Sequence, residues 1–377
     1  MTTPGTSPEV AAPTPIVVSE SLTFPLSWLL EHASSPLRYR AMTEIARTSD
    51  PRSPDVDWLP YSHRPAIRLA VTQTRDGMWN QSILSIPGRH SSDLANVGTI
   101  PAVRRLAECG WAADSPPLVL ARRLLFRLLA EDNDPAFTFE LGSKTRDDDM
   151  VRRTRGIFRE AAAATLAQMG YESDPRLRGA ARRILERTIS YLNSPLGEKP
   201  WIRVGNSHVL APEASPPSIY TLTMLSYMPI FRHEHFSEVE RIYDAITQPL
   251  PRQEIVQLFG KKIVAQPHLI MGDVLPHRNA VEADVPLALT WLETMARLNF
   301  LRRNDNWVKL FDRFVDDRDR NGVWHPHKGM DRPTTTDSWA WSTFPLDDGS
   351  GQESKWTDVT FRIGLIGKLL GREIELI

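Results

Sequence analysis

Apolar residues recur along this chain at the three-and-four spacing of amphipathic helices. Val119, Leu120, Leu124, Leu125 and Leu128 form one stripe, and Leu177, Ala181, Ile184, Leu185 and Leu192 form another. Similar stripes predict helices over residues 26–46, 64–72, 219–228, 236–246, 286–300, 307–315 and 358–370. No alternating run stands out as a strand. The proline-rich stretches 195–217 and 249–251 read as long inter-helix loops. The pattern predicts an all-α chain.

Two of these helical units are copies of each other. Leu106-Ala-Glu-Cys-Gly-Trp-Ala-Ala-Asp114 matches Leu166-Ala-Gln-Met-Gly-Tyr-Glu-Ser-Asp174 at an offset of 60 residues, and the match runs on to Arg127 and Arg187 with nine identities in 22 positions. Self-similarity of this length signals a repeat architecture. Each copy predicts a helix that ends at Gly110 or Gly170, where the chain needs a positive φ. The following aromatic, Trp111 or Tyr171, then folds back on the last turn. Asp114 and Asp174 are N-caps for the second helix, with Pro175 at its first position. Leu298-Asn-Phe300 stands where a later copy would have its glycine–aromatic end.

Composition narrows the setting. The chain has 377 residues, 41% apolar and 24% charged, with a net charge of −1. That balance fits a soluble globular protein and lacks the basic excess of a dedicated nucleic-acid binder. Cys109 is the single cysteine, so no intrachain disulfide can form. A reducing, cytoplasmic location is expected. Residues 1–20 are rich in Pro, Thr, Ser and Ala without Lys or Arg, which reads as a disordered tail rather than a secretory signal. No apolar run is long enough for a transmembrane helix, leaving only peripheral membrane association open.

Gln73-Thr-Arg-Asp-Gly77-Met-Trp79 has the Gln-x-x-x-Gly-x-Trp spacing, and Arg318-Asp-Arg-Asn-Gly322-Val-Trp324 is a degraded copy with Arg for Gln. On these motifs, and on the segments Trp28–Tyr39 and Ser354–Arg362, the chain resembles the squalene-cyclase-like and prenyltransferase-like α/α-toroids, in particular their uncharacterised bacterial members. The resemblance implies a single closed ring of helical hairpins over residues 21–377. It also implies that the Gly–Trp segments staple the outer ring.

The chemistry usually carried by that ring is missing. Cyclases of this group protonate their substrate with an Asp-x-Asp-Asp acid, held neutral in an apolar cavity. Here the dense acidic groups are Asp147-Asp148-Asp149 and Asp316-Asp317-Arg318-Asp319, both beside arginines and both read as solvated. Protein prenyltransferases bind zinc through Asp, Cys and His. Cys109 matches Met169 in the repeat, so it reads as apolar filler. His233-Glu-His235 and His325-Pro-His327 lack a third ligand at fixed spacing, and His268, Asp273 and His277 share one loop. Arg pairs at 104/105, 122/123, 152/153 and 182/183 read as a solvated outer face.

The sequence therefore predicts a non-catalytic toroid, with neither metal nor cofactor. Its role would be a scaffold or accessory subunit for a protein partner, or a carrier of an apolar small molecule. The alternative is an enzyme on an isoprenoid or other apolar substrate using unfamiliar residues, motivated by the 11 Trp. By their places near the starts of inner helices, Asn96, His268, Asp273, Trp324, Trp356 and Arg362 are the expected cavity residues.

Overall fold

The computed structural model describes residues 21–87, 94–130, 148–275, 284–325, 330–335, 337–347 and 351–377. The segment expected to be a tail, 1–20, lies outside them, as do Asp147, His277 and His327.

Helices dominate where the stripes predict them. The described order begins with β1 (Leu22–Phe24), α1 (Leu26–His32), α2 (Ser35–Arg40), α3 (Arg64–Val71), α4 (Thr99–Glu108), α5 (Pro116–Leu128), α6 (Asp148–Gln168) and α7 (Pro175–Leu192). A short α8 (Pro195–Glu198) leads into β2 (Trp201–Val204) and β3 (Ser207–Leu210). Then come α9 (Ile219–Ser226), α10 (Pro229–Glu234), α11 (Phe236–Ile246), β4 (Val256–Phe259), β5 (Lys262–Ala265), α12 (Val285–Arg297), α13 (Asp305–Asp316), α14 (Thr357–Leu369) and β6 (Ile374–Leu376). The expected helix over 26–46 is broken in two near Pro36, and its last turn is π-helical over Ala41–Ala46.

The repeat rests on one recurring helix end. Gly110, Gly170, Asn299 and Gly371 take φ of 87, 84, 61 and 79°. In each case the next amide reaches back five residues: Trp111 to Leu106 O at 3.1 Å, Tyr171 to Leu166 O at 3.1 Å, Phe300 to Met295 O at 2.9 Å and Arg372 to Gly367 O at 3.0 Å. That is the Schellman bond, which satisfies a carbonyl the helix leaves open. At the first three ends the aromatic then packs on a ring of a neighbouring segment: Trp111 on Tyr61 at 5.0 Å, Tyr171 on Phe126 at 5.7 Å and Phe300 on Tyr243 at 4.9 Å. Asp174 caps α7 as expected, accepting from the Arg176 amide at 2.9 Å. Asp114 does not cap α5. That helix starts one residue later, with Ser115 at the cap position and Pro116 in its first turn.

The two Gly–Trp segments are staples. Gln73 Nε2 donates to Pro117 O at 2.8 Å and Gly77 O at 3.2 Å, tying its turn to the start of α5. Gly77 has φ of 81°, and a Cβ there would stand 2.8 Å from the Leu120 carbonyl, so only glycine fits. In the second copy Arg318 does the work of glutamine, donating to Val315 O at 2.9 Å and, across to β1, to Thr23 O at 2.7 Å.

The all-α expectation is wrong. β1 and β6 pair in parallel, Leu22 opposite Ile374, and join the two ends of the described chain. A second sheet has the order β2-β3-β4-β5, built from two antiparallel hairpins, with Leu210 of β3 opposite Gln257 of β4. These strands are three or four residues long, too short for alternation to emerge from the sequence. The hairpin signal was nonetheless present: Gly205-Asn206 and Gly260-Lys261 each fill a two-residue loop, and both glycines have positive φ, 60 and 57°. The stretch 195–217 is thus a short helix and a hairpin rather than a plain loop. The architecture is mixed α/β. Helices α4, α6, α9, α12 and α14 pack one against the next, but a closed helical ring is not shown.

Candidate functional site

Two polar assemblies stand out among the described residues, and they differ in access. The first is sealed. Arg40 of α2 donates to Glu108 of α4 at 2.6 Å, and Arg362 of α14 donates to the same carboxylate at 3.0 Å. Arg362 also pairs with Glu293 of α12, whose other oxygen takes Arg297 at 2.8 Å. Gln168 of α6 closes on Glu108 at 2.6 Å and receives Arg104 at 3.0 Å. Arg40, Glu108, Glu293 and Arg362 are all buried. Desolvation opposes their charges, but the interleaved guanidiniums prevail, holding Glu108 below the usual carboxylate range and Glu293 down at about 2. Every charge faces an opposite one, so the assembly ties helices together and has nothing to offer a ligand.

Its effect on stability has a definite sign. The Glu293 carboxyl is depressed in the fold from an ordinary value near 4.5 to about 2. Its contribution is therefore complete above the ordinary value and is lost as pH falls towards the folded one. Thermal midpoints should hold level from pH 7 to about 5 and fall steeply below that. Glu293→Gln should start lower and decline less on acidification. An equal acid slope in the two proteins would show that this carboxylate is not what couples stability to pH.

The second assembly is open. Arg152, Arg153, Gly156, Ile157 and Glu160 share one face of α6 at helical spacing and form a wall of a cleft of about 480 Å³. Arg187 of α7 forms the neighbouring wall. The four-stranded sheet supplies Gln257 and Phe259, and the segment after it supplies Gln266 and His268. Residues 212–216, which also line the cleft, are held by Gln257, whose amide donates to Ala211 O at 2.9 Å and Ala214 O at 2.8 Å.

Glu160 is the organising group of this cleft. It pairs with Arg187 and accepts from Ser218 Oγ, whose oxygen also takes the Thr221 amide at 3.0 Å as the N-cap of α9. The Arg153 guanidinium lies 4.6 Å over the Phe259 ring. His268 stacks on Tyr220 at 6.2 Å, and burial pushes its imidazole below the usual value, so it is neutral at neutral pH. Its backbone is fixed as well, because Ile219 donates to His268 O at 2.8 Å. The lining thus presents three guanidiniums, two amides and a neutral imidazole against two carboxylates, Glu160, engaged by its neighbours, and the exposed Glu213. Such a wall can bind an anion by charge-assisted hydrogen bonds.

Of the six residues expected in a cavity, His268 alone lines this cleft. Asn96 is exposed on a 3₁₀ turn. Asp273 is buried and accepts from Trp307 Nε1 at 2.9 Å and the Leu275 amide at 2.9 Å, a structural role. Trp324 sits in the core with Phe314 and Trp356 around it, at 6.4 and 5.7 Å. Arg362 belongs to the sealed network. No metal-binding group of three or more His, Cys, Asp or Glu forms among the described residues. His235 instead packs at a tilt on Phe231 at 4.4 Å and faces Glu238 at 3.4 Å, and His325 faces Asp319 at 3.4 Å. Cys109 is buried, and burial pushes its thiol up to about 12, consistent with inert filler. No described helix is long and apolar enough to cross a membrane.

Sequence reasoning missed Arg152, Arg153, Glu160 and Arg187. The arginines read as one more solvated pair plus a lone neighbour, because the sheet that turns that face into a wall was not foreseen. No family model, curated protein or solved structure matches this chain.

Proposed function

We propose that this chain is a binding protein for a small anionic ligand, a phosphate or carboxylate compound, taken up in the cleft between α6 and the four-stranded sheet. The observation that carries the reading is the charge of the wall: Arg152, Arg153 and Arg187 against two carboxylates, Glu160, which is engaged by Arg187 and Ser218, and the exposed Glu213 at the rim. A binding role is favoured over a catalytic one by the state of the titratable groups. Glu160 is fixed by Arg187 and Ser218, and no carboxylate hydrogen-bonds the His268 ring among the described residues. A general acid or base needs the freedom to exchange its proton with a substrate. A cationic cleft of this kind replaces the apolar cargo expected from the sequence. The reading keeps a squalene-cyclase-like origin, supported by the two Gly–Trp staples. It also keeps a cytoplasmic location, supported by the single buried cysteine.

Titration calorimetry with inorganic phosphate, pyrophosphate and citrate tests it. Hydrogen bonds to charged groups contribute about 1.5–3 kcal/mol each. Arg153→Met and Arg187→Met should each weaken binding at least about tenfold. Absence of binding by all three anions, or affinities unchanged in both variants, would overturn the assignment.

A further inference from the structure

A second cationic surface lies on the outside of the first repeat junction, apart from the cleft above. The exposed side of α5 and the start of α7 enclose an open groove of about 710 Å³ lined by Arg122, Arg123, Phe126, Arg127, Tyr171 and Arg176. Among the described residues the carboxylate in its lining is Asp174, which caps α7 and pairs with Arg176 at 2.8 Å. Two of the guanidiniums are held by rings. Arg176 lies 3.7 Å over Phe126, while Arg122 lies 5.5 Å over Tyr171 and donates to its hydroxyl at 2.8 Å. Arg176 spends its Nε and one terminal nitrogen on Asp174, whereas Arg122, stacked and tied through one terminal nitrogen, is held with little freedom to lose on binding an anion.

The repeat shows that the fold does not require cations grouped around a ring in this way. Sixty residues on, Arg122, Arg123 and Arg127 become Arg182, Arg183 and Arg187, but Phe126 becomes Glu186. Glu186 faces Arg182 at 3.9 Å. At the junction of α11 and α13, Arg303 also stacks on an aromatic, Tyr243 at 4.1 Å, yet Glu240 takes both of its terminal nitrogens at 2.6 Å. The groove on α5 has a ring where its copy has a neutralising carboxylate, in a chain whose net charge is −1.

We propose that this groove docks an acidic peptide segment of a partner protein. The extent of the patch favours a short segment over a long polyanion or a lipid surface. Along α7 the positive face stops, because Arg178 pairs with Glu234 and Arg182 with Glu186. The rings of Phe126 and Tyr171 give such a peptide an apolar floor between its carboxylate contacts.

Fluorescence anisotropy of a labelled hexaglutamate peptide, titrated with the full chain, tests the proposal. Binding is expected, and it should vanish in 1 M salt, where the Debye length falls to about 3 Å. The double variant Arg122→Gln/Arg123→Gln and the single variant Phe126→Glu, which copies the second repeat, should each weaken it at least about tenfold while thermal midpoints stay near the parent's. Arg153→Met, in the other cleft, should leave peptide affinity unchanged. The proposal is overturned if hexaglutamate does not bind, if both groove variants bind it as the parent does, or if Arg153→Met abolishes binding. Sedimentation with vesicles containing phosphatidylserine, in the absence of any peptide binding, would assign the surface to lipid instead.

Discussion

Replacing Arg362 by methionine should destabilise the fold by about 3–5 kcal/mol, the usual cost of removing one partner from a buried ion pair. Arg362 is 2% exposed and is the link between Glu108 and Glu293, while also donating to Thr343 O at 2.6 Å. Without it, two buried carboxylates repel each other across a gap that methionine fills without charge. A loss of that size is a large part of the roughly 5–15 kcal/mol that holds a domain together. Urea denaturation of the parent and variant measures it. Adding Glu293→Gln to Arg362→Met should recover part of the loss, because the uncompensated charge is removed with its partner. A single-variant loss under about 1 kcal/mol would show that the network is not the structural tie described above.

Trp79→Ala is the second large effect, with an expected cost of about 3–5 kcal/mol. The indole is fully buried, and its Nε1 donates to Leu69 O at 2.7 Å, joining the turn to the end of α3. Its backbone amide donates to Thr99 Oγ1 at 3.2 Å at the start of α4. Deleting the ring leaves a cavity where three segments meet and takes one donor from the Leu69 carbonyl, which keeps Thr72 Oγ1 at 2.7 Å. Trp79→Phe retains much of the volume and should cost distinctly less. The comparison is made by thermal and urea melts of the two variants. Equal losses would mean that the Leu69 hydrogen bond, and not the packing, makes this segment a staple.

The residues argued from the sequence divide sharply in outcome. Gly110, Gly170 and Asp174 take the roles predicted for them, Gln73 and Trp79 tie neighbouring segments although the closed ring they were expected to staple is not shown, and His268 falls in the cleft that carries the proposed function. Asn96, Asp273, Trp324, Trp356 and Arg362 do not line it. They were placed by counting along helices of an assumed closed ring, and the two sheets alter that geometry. β1 and β6 bring residues 22–24 and 374–376 side by side, and the β2–β5 sheet stands against the arginine-bearing face of α6. The sheet hairpins were announced by Gly205-Asn206 and Gly260-Lys261. Their strands carried too few residues for a period to show.

By itself the sequence determined what neighbours along the chain decide. A helix ends at Gly110 because that residue alone can turn left-handed there without cost, and the carbonyl it satisfies lies one turn back. Stripe, cap and turn are all read within a dozen residues. Tertiary structure decided which charges are paired and which face a cleft. Glu108 and Arg362 stand 254 positions apart, and Gln168 reaches Glu108 across 60. Arg152 and Arg187, similar in sequence context to any solvated pair, become a wall only because a sheet closes over their face. Burial and Coulomb attraction act through space, so groups brought together by the fold acquire a shared environment that no local pattern encodes.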